Sequence, residues 1–153
     1  MPDTDRRDIL ALLRAQEDAV ARGDAAGVVA PLSSNLVTYD LPPPLEYRGA
    51  GAPYAKGLEQ WFATWNGPVT VKLSDPTVVV EGDLAVVFGL SRMRGYKKEG
   101  GPFDGWNRRT IVLSRTEGTW RIIHEHSSYP LEMDGSGRAA TNLQPQHDAR
   151  GTP

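Results

Sequence analysis

From Val69 onward the sequence changes period. Before that point apolar side chains recur every three or four residues. After it they alternate singly with polar ones, Val69, Val71 and Leu73 against Thr70, Lys72 and Ser74. Helical spacing belongs to the first half and strand spacing to the second, without the alternation of helix and strand that winds a parallel sheet. Such an order predicts an α+β fold, with the helices laid against one side of a largely antiparallel sheet. At 153 residues the chain makes one domain, large enough to bury roughly two-thirds of the surface its unfolded form exposes, with room for a cavity.

Residues 3–22 carry Ile9, Leu12, Leu13, Gln16, Ala19 and Val20 on one helical face, with Arg6, Arg7, Arg14 and Glu17 turned outward. Gly23-Asp24 ends this helix, and Asp24 caps a short second one that runs through Val29 and stops at Pro31. Asn35 to Asp40 reads as a strand. The prolines 42–44 cannot join a ladder, so Asp40 sits at a strand end beside a stiff loop. Pro53 suits the first turn of a third helix, whose stripe is Tyr54, Leu58, Trp61, Phe62 and Trp65. A stripe this aromatic is either core or a wall for an apolar ligand.

The strands follow. Asp75-Pro76 interrupts the first, which resumes over Thr77 to Val80; Glu81-Gly82-Asp83 turns into a long strand from Leu84 to Tyr96. Gly95 to Gly105 is a glycine-rich hairpin tip without the strand-to-helix context of a phosphate loop. Trp106 to Ser114 and Thr119 to Ser128 complete the sheet, and Pro130 ends it. Residues 134–153 are rich in Gly, Ser, Gln and Pro and offer only Leu143 as a large apolar side chain, so they are expected to be a disordered tail behind a domain of residues 1–133.

The net charge of −2 and the mixed signs give no basic stripe for nucleic acid. The chain has no cysteine, which excludes disulfides, thiolate metal sites and a cysteine nucleophile. No apolar run approaches the roughly 20 residues that span a bilayer. The segment from Asp3 to Asp8 is charged where a signal peptide needs an apolar stretch, and a cytoplasmic location is expected.

The last strand carries the most chemistry, and its alternation allows two faces. Trp120, Ile122, His124, His126 and Ser128 share one; Arg121, Ile123, Glu125 and Ser127 share the other. Two histidines at i and i+2 could hold a metal, but beyond Asp40 no third ligand is evident, and no metal or other cofactor is assigned.

This order of elements resembles the nuclear transport factor 2-like superfamily, in its SnoaL-like and ketosteroid isomerase-like branch. The resemblance is carried by Gly23-Asp24 before a short helix, Tyr47-Arg48-Gly49 before the third, the hairpin Glu117-Gly118-Thr119-Trp120-Arg121-Ile122, and the run His124-Glu125-His126-Ser127-Ser128, which is also similar to the association domain of calcium/calmodulin-dependent kinase II. It implies a cone-shaped, cystatin-like fold across residues 5–131: three helices packed on a strongly curved, mixed but mostly antiparallel sheet around a pocket. It also implies a role for Asp40, which precedes Gly49 by the spacing that separates the isomerase's base from its corresponding glycine. The isomerase's tyrosine falls near Gln16 and its oxyanion acid near Thr110 or Ile111, so neither oxyanion donor is kept.

By the register of the kinase association domain, the pocket face carries Asn107, Arg109, Ile111, Leu113, Ile123, Glu125 and Ser127, with Val87, Gly89, Ser91 and Met93 from the neighbouring strand. The expected function is cofactor-independent acid/base chemistry on a largely apolar, carbonyl-bearing molecule. Asp40, Glu125 and Arg109 are the catalytic set, and Gln16, Tyr54, Trp61, Trp65, Met93, Asn107 and Ser127 the substrate contacts. The alternative is a ligand-binding or assembly module without chemistry. In the opposite register Arg92, Arg108, His124 and His126 point inward instead, with Thr110. Phe88, Leu90, Trp106, Val112, Trp120 and Ile122 are assigned to the outer face, which is too apolar to face water and predicts a homodimer through the sheet.

Overall fold

The computed structural model describes residues 2–146. Helix α1 (Pro2–Arg22) is followed by α2 (Ala25–Val29), capped by Asp24, whose carboxylate accepts the Gly27 N–H at 3.0 Å. Strand β1 (Leu32–Tyr39) and the two-residue β2 (Tyr47–Arg48) precede α3 (Ala52–Phe62), which has Pro53 in its first turn. Strands β3 (Thr70–Glu81), β4 (Leu84–Lys97), β5 (Gly101–Thr116) and β6 (Thr119–Ser128) follow. They form one sheet in the order β2-β1-β6-β5-β4-β3, antiparallel throughout except that β1 runs parallel to β6. This is the α+β cone expected from the sequence. The β5–β6 turn is Glu117-Gly118, with φ of 52° and 77°, the doubly left-handed geometry that glycine permits in a tight hairpin.

The core lies at the closed end, where Ile9 and Leu13 of α1 meet Leu73, Val87, Ile111, Leu113, Trp120 and Ile122 of the sheet. Burying such side chains is worth about 1.5–3 kcal/mol each, and this cluster is what fixes α1 across the sheet. Trp120 and Ile122 correct an expectation, for they face the core rather than the outer surface, 7% and 0% exposed. The cause is a β-bulge. Val112 pairs with His124 and Leu113 with Ile122, so Ile123 is an extra residue and strand alternation changes phase there. Trp120 and Ile122 look inward before the bulge, and Glu125 and Ser127 look inward after it.

Strand β5 begins five residues earlier than expected, so Gly101 to Gly105 belong to a long hairpin rather than to its tip. Gly95 has a packing reason, because a Cβ there would stand 2.8 Å from the Trp65 ring. Within the segment 134–153, expected to be a disordered tail, residues 138–140 make backbone contacts with the domain. Leu131 and Ala139 form an antiparallel bridge, the Ala140 N–H donates to the Pro130 carbonyl at 2.8 Å, and Ala140 is buried. Small side chains dock this strap, which a count of large apolar residues overlooks. The remainder of that expectation, residues 147–153, lies outside the described residues. Among the described residues no helix is long and apolar enough to cross a membrane.

Candidate functional site

The apolar stripe of α3 does not reach the core. Tyr54, Leu58 and Trp61 stand at i, i+4 and i+7, yet each is only half-buried, and α3 has no fully buried residue. They face a cavity of about 800 Å³ enclosed by α3, the second half of α1, the 41–44 loop and the inner face of the sheet. Gly57 lines it too, and a methyl group added there would meet nothing within 4 Å. Val20, Val28, Val71, Met93 and Phe103 complete the apolar wall.

The polar groups come from strand register. Thr38 of β1 lies opposite Glu125 of β6, and Ser127 lies opposite Arg109 of β5, so these side chains and Asn107 project inward together. Arg109 Nη2 donates to Glu125 Oε1 at 2.7 Å, with the two side chains only 13% and 15% exposed. Burial by itself would depress the Arg109 pKa, but the Glu125 charge outweighs it and the guanidinium stays firmly protonated.

Asp40 follows β1 at the cavity mouth, exposed at its outer edge and bordering the cavity on the other. Its carboxylate accepts the Leu41 N–H at 2.7 Å, and among the described residues it enters no salt bridge. Desolvation raises its pKa above the ordinary carboxylate value. The Glu125 charge adds to the rise, while the Leu41 N–H and Arg109 oppose it. A carboxylate made more basic in this way, beside an apolar chamber, is suited to taking a proton. Burial first, and then Glu125 and Asp40, hold the Tyr54 hydroxyl well above its ordinary pKa, so it stays a proton-bearing donor.

Several residues depart from their expected placement. Trp65 is 3% exposed and stands behind the wall, edge-on to Trp61 and Phe103, with Lys97 Nζ 4.2 Å above its ring. Gln16 borders the cavity, but its Nε2 donates to the Val28 carbonyl at 2.9 Å and ties α1 to α2. Glu17, expected outward, is buried; it accepts the Leu73 N–H at 2.8 Å and pairs with Arg14. The opposite-register set lies on the outer face, where Arg92 pairs with Asp104 at 2.7 Å, Arg108 donates to Ser128 at 3.2 Å, and His124 Nδ1 lies 2.6 Å from the Val37 carbonyl. Tyr39 stacks edge-on against both His124 and His126 there. Among the described residues no group of three His, Asp or Glu could hold a metal ion.

Sequence reasoning missed Thr38, Tyr129 and Thr141, which also line the cavity, while Ser91 lies on the pocket face where alternation put it. For Thr38 a signal existed, since it shares alternation phase with Asp40. Thr141 could be found only through the docking of the strap. Among the described residues the Ser91 hydroxyl is buried without a partner, and burial raises the Tyr129 pKa while Asn107 beside it acts in the opposite sense.

A helix-lidded cone whose inner sheet face holds a few convergent polar groups around an apolar chamber is an α+β cavity fold, with a chamber of the kind that suits a small ligand. The sequence profile of the SnoaL-like domain matches residues 9–132, and the chain belongs to this SnoaL-like family within the NTF2-like superfamily. A solved NTF2-like protein of unknown function from Pseudomonas putida is 30% identical, superposes with a TM-score of 0.82, and the match covers 94% of this chain and 98% of that one. A candidate dehydratase of the NTF2-like family from Streptomyces avermitilis is 20% identical over 84% of this chain and 97% of its own, with a TM-score of 0.72. A candidate association domain of calcium/calmodulin-dependent protein kinase II from Xanthomonas campestris is 23% identical over 82% and 88%, with a TM-score of 0.70. These last two show the fold alone. No curated protein matches the chain.

Proposed function

We propose that the protein is a small cofactor-independent enzyme of ketosteroid isomerase-like type, which moves a proton on a largely apolar, carbonyl-bearing molecule held in the cone. The observation that carries this reading is Asp40, a carboxylate with no salt-bridge partner among the described residues and with a raised pKa, set where the cavity opens. Asp40 takes the proton adjacent to the carbonyl. Tyr54 donates a hydrogen bond to the oxygen that gains charge, and Arg109, held by Glu125, supplies positive potential at the same wall. Tyr54, Trp61, Met93, Asn107 and Ser127 position the substrate, and Gln16 holds the inner end of the chamber in shape.

The test is proton exchange at the carbon next to the carbonyl of 2-tetralone and similar apolar ketones in heavy water, followed by proton NMR. Wild type should accelerate exchange and Asp40→Asn should lose most of the acceleration, by a factor of about 10²–10⁴. Equal rates for the two proteins would remove Asp40 from the base role.

The outer sheet face supports a homodimer. Tyr39, Val79, Phe88 and Leu90 remain exposed there, flanked by half-buried Trp106 and Val112. A two-fold contact covering this face would bury about 800 Å² per subunit.

A further inference from the structure

We infer that the cavity selects its substrate by charge, admitting neutral or cationic molecules and rejecting those that carry a carboxylate, sulfonate or phosphate into the chamber. The inference deepens the proposed function and rests on its identification of the cavity as the ligand site. Three carboxyl groups line the cavity, from Glu17, Asp40 and Glu125, against two cations, Arg109 and Lys97.

Both cations are engaged. Arg109 donates to Glu125 at 2.7 Å. Lys97 donates to Thr64 Oγ1 at 2.7 Å while lying over the Trp65 ring. Glu17 is balanced by Arg14 and by the Leu73 N–H. Asp40 remains, and among the described residues it holds only the Leu41 N–H. An anion moving past Asp40 at the mouth would meet a like charge that has no salt-bridge partner among the described residues.

The aromatic part of the lining does not favour an anion either. Tyr47, Tyr54, Trp61, Phe103 and Tyr129 present aromatic surface to the same chamber. Aromatic faces attract cations and tolerate neutral apolar bodies, and the negative potential of their faces disfavours anions. The aromatic walls and the Asp40 carboxylate thus act in the same direction.

Three probes of one shape separate charge from size: 2-acetylnaphthalene, 2-naphthoate and 2-naphthylmethylammonium, each titrated calorimetrically into the full chain at about pH 8, well above the ordinary carboxylate range. The ketone and the ammonium should bind wild type, and the carboxylate should bind at least about tenfold more weakly. Asp40→Asn should improve naphthoate binding, a gain that damage to the fold cannot produce. Naphthoate binding as tightly as the ketone overturns the inference, and so does a charge ranking that Asp40→Asn leaves unchanged. Binding of none of the three overturns it as well, because the chamber would then not take an aromatic body of this size. The acid/base reading fails separately: a charge ranking as expected together with exchange unaffected by Asp40→Asn leaves a charge-selective binding protein without chemistry.

Discussion

Replacing Arg109 with methionine tests the site from its most buried ion pair. The change keeps side-chain length and apolar bulk but leaves Glu125 without its 2.7 Å partner. Removing one member of a fully buried pair costs about 3–5 kcal/mol. Here the two side chains are 13% and 15% exposed and border a cavity, so partial hydration reduces the loss to about 2–3 kcal/mol. For a domain of this size, each kcal/mol shifts the melting temperature by about 2–4 °C, which gives a fall of about 4–12 °C. The double variant Arg109→Met/Glu125→Leu removes the stranded charge and should recover at least half of that fall. Calorimetric or circular dichroism melts of the four proteins measure it. A single variant melting within about 2 °C of wild type, or a double variant as damaged as the sum of its singles, would refute the energetic reading of the pair.

Asp40 gives a prediction of opposite sign. Its folded pKa is raised, so the folded protein binds more protons than the unfolded chain in the interval just above the unfolded value of about 3.9, and stability is lost as pH rises through it. Asp40→Asn should therefore melt above wild type at neutral pH, with the difference closing below about pH 4, while proton exchange is lost. Gly57→Ala should raise the melting temperature by the equivalent of about 0.5–1 kcal/mol, because the position is helical and a methyl there meets open space; Gly57→Phe should occlude ligand binding without unfolding the protein. Gly95→Ala should cost about 1–3 kcal/mol in a denaturant titration, since its Cβ would press on the Trp65 ring. Truncation after Met133 should lower the melting temperature, because it removes the Leu131–Ala139 bridge and buried Ala140; an unchanged melt would show that the strap adds nothing.

The succession of periods made the fold legible, and turn residues placed most element boundaries to within a few positions. The inner faces of β4 and β5 were legible too, since Ser91, Met93, Asn107 and Arg109 keep strict alternation across a long regular ladder. What sequence alternation could not supply was the phase change in β6. One extra residue at Ile123 made both readings of that strand half correct: Trp120 and Ile122 turn inward with the core, and Glu125 still reaches the cavity. Glu17 was misjudged for a related reason. A carboxylate is expected outward unless its partners are known, and the Leu73 N–H that holds it lies 56 residues away. The α3 stripe left core and ligand wall both open in the sequence, and only the tertiary arrangement distinguishes an apolar face packed on side chains from one packed on a cavity.

The charge state of Asp40 is the most direct measure of the account, because it needs no knowledge of the natural substrate. With aspartate carboxyl carbons labelled, and Asp40 assigned by comparison with Asp40→Asn, a carbon NMR titration reports that carboxyl alone. The account predicts a pKa above the ordinary value of about 3.9, a further rise when Arg109→Met removes the opposing cation, and another when a neutral ketone fills the chamber. A value at or below the ordinary one, unmoved by the Arg109 substitution and by ligand, would contradict it.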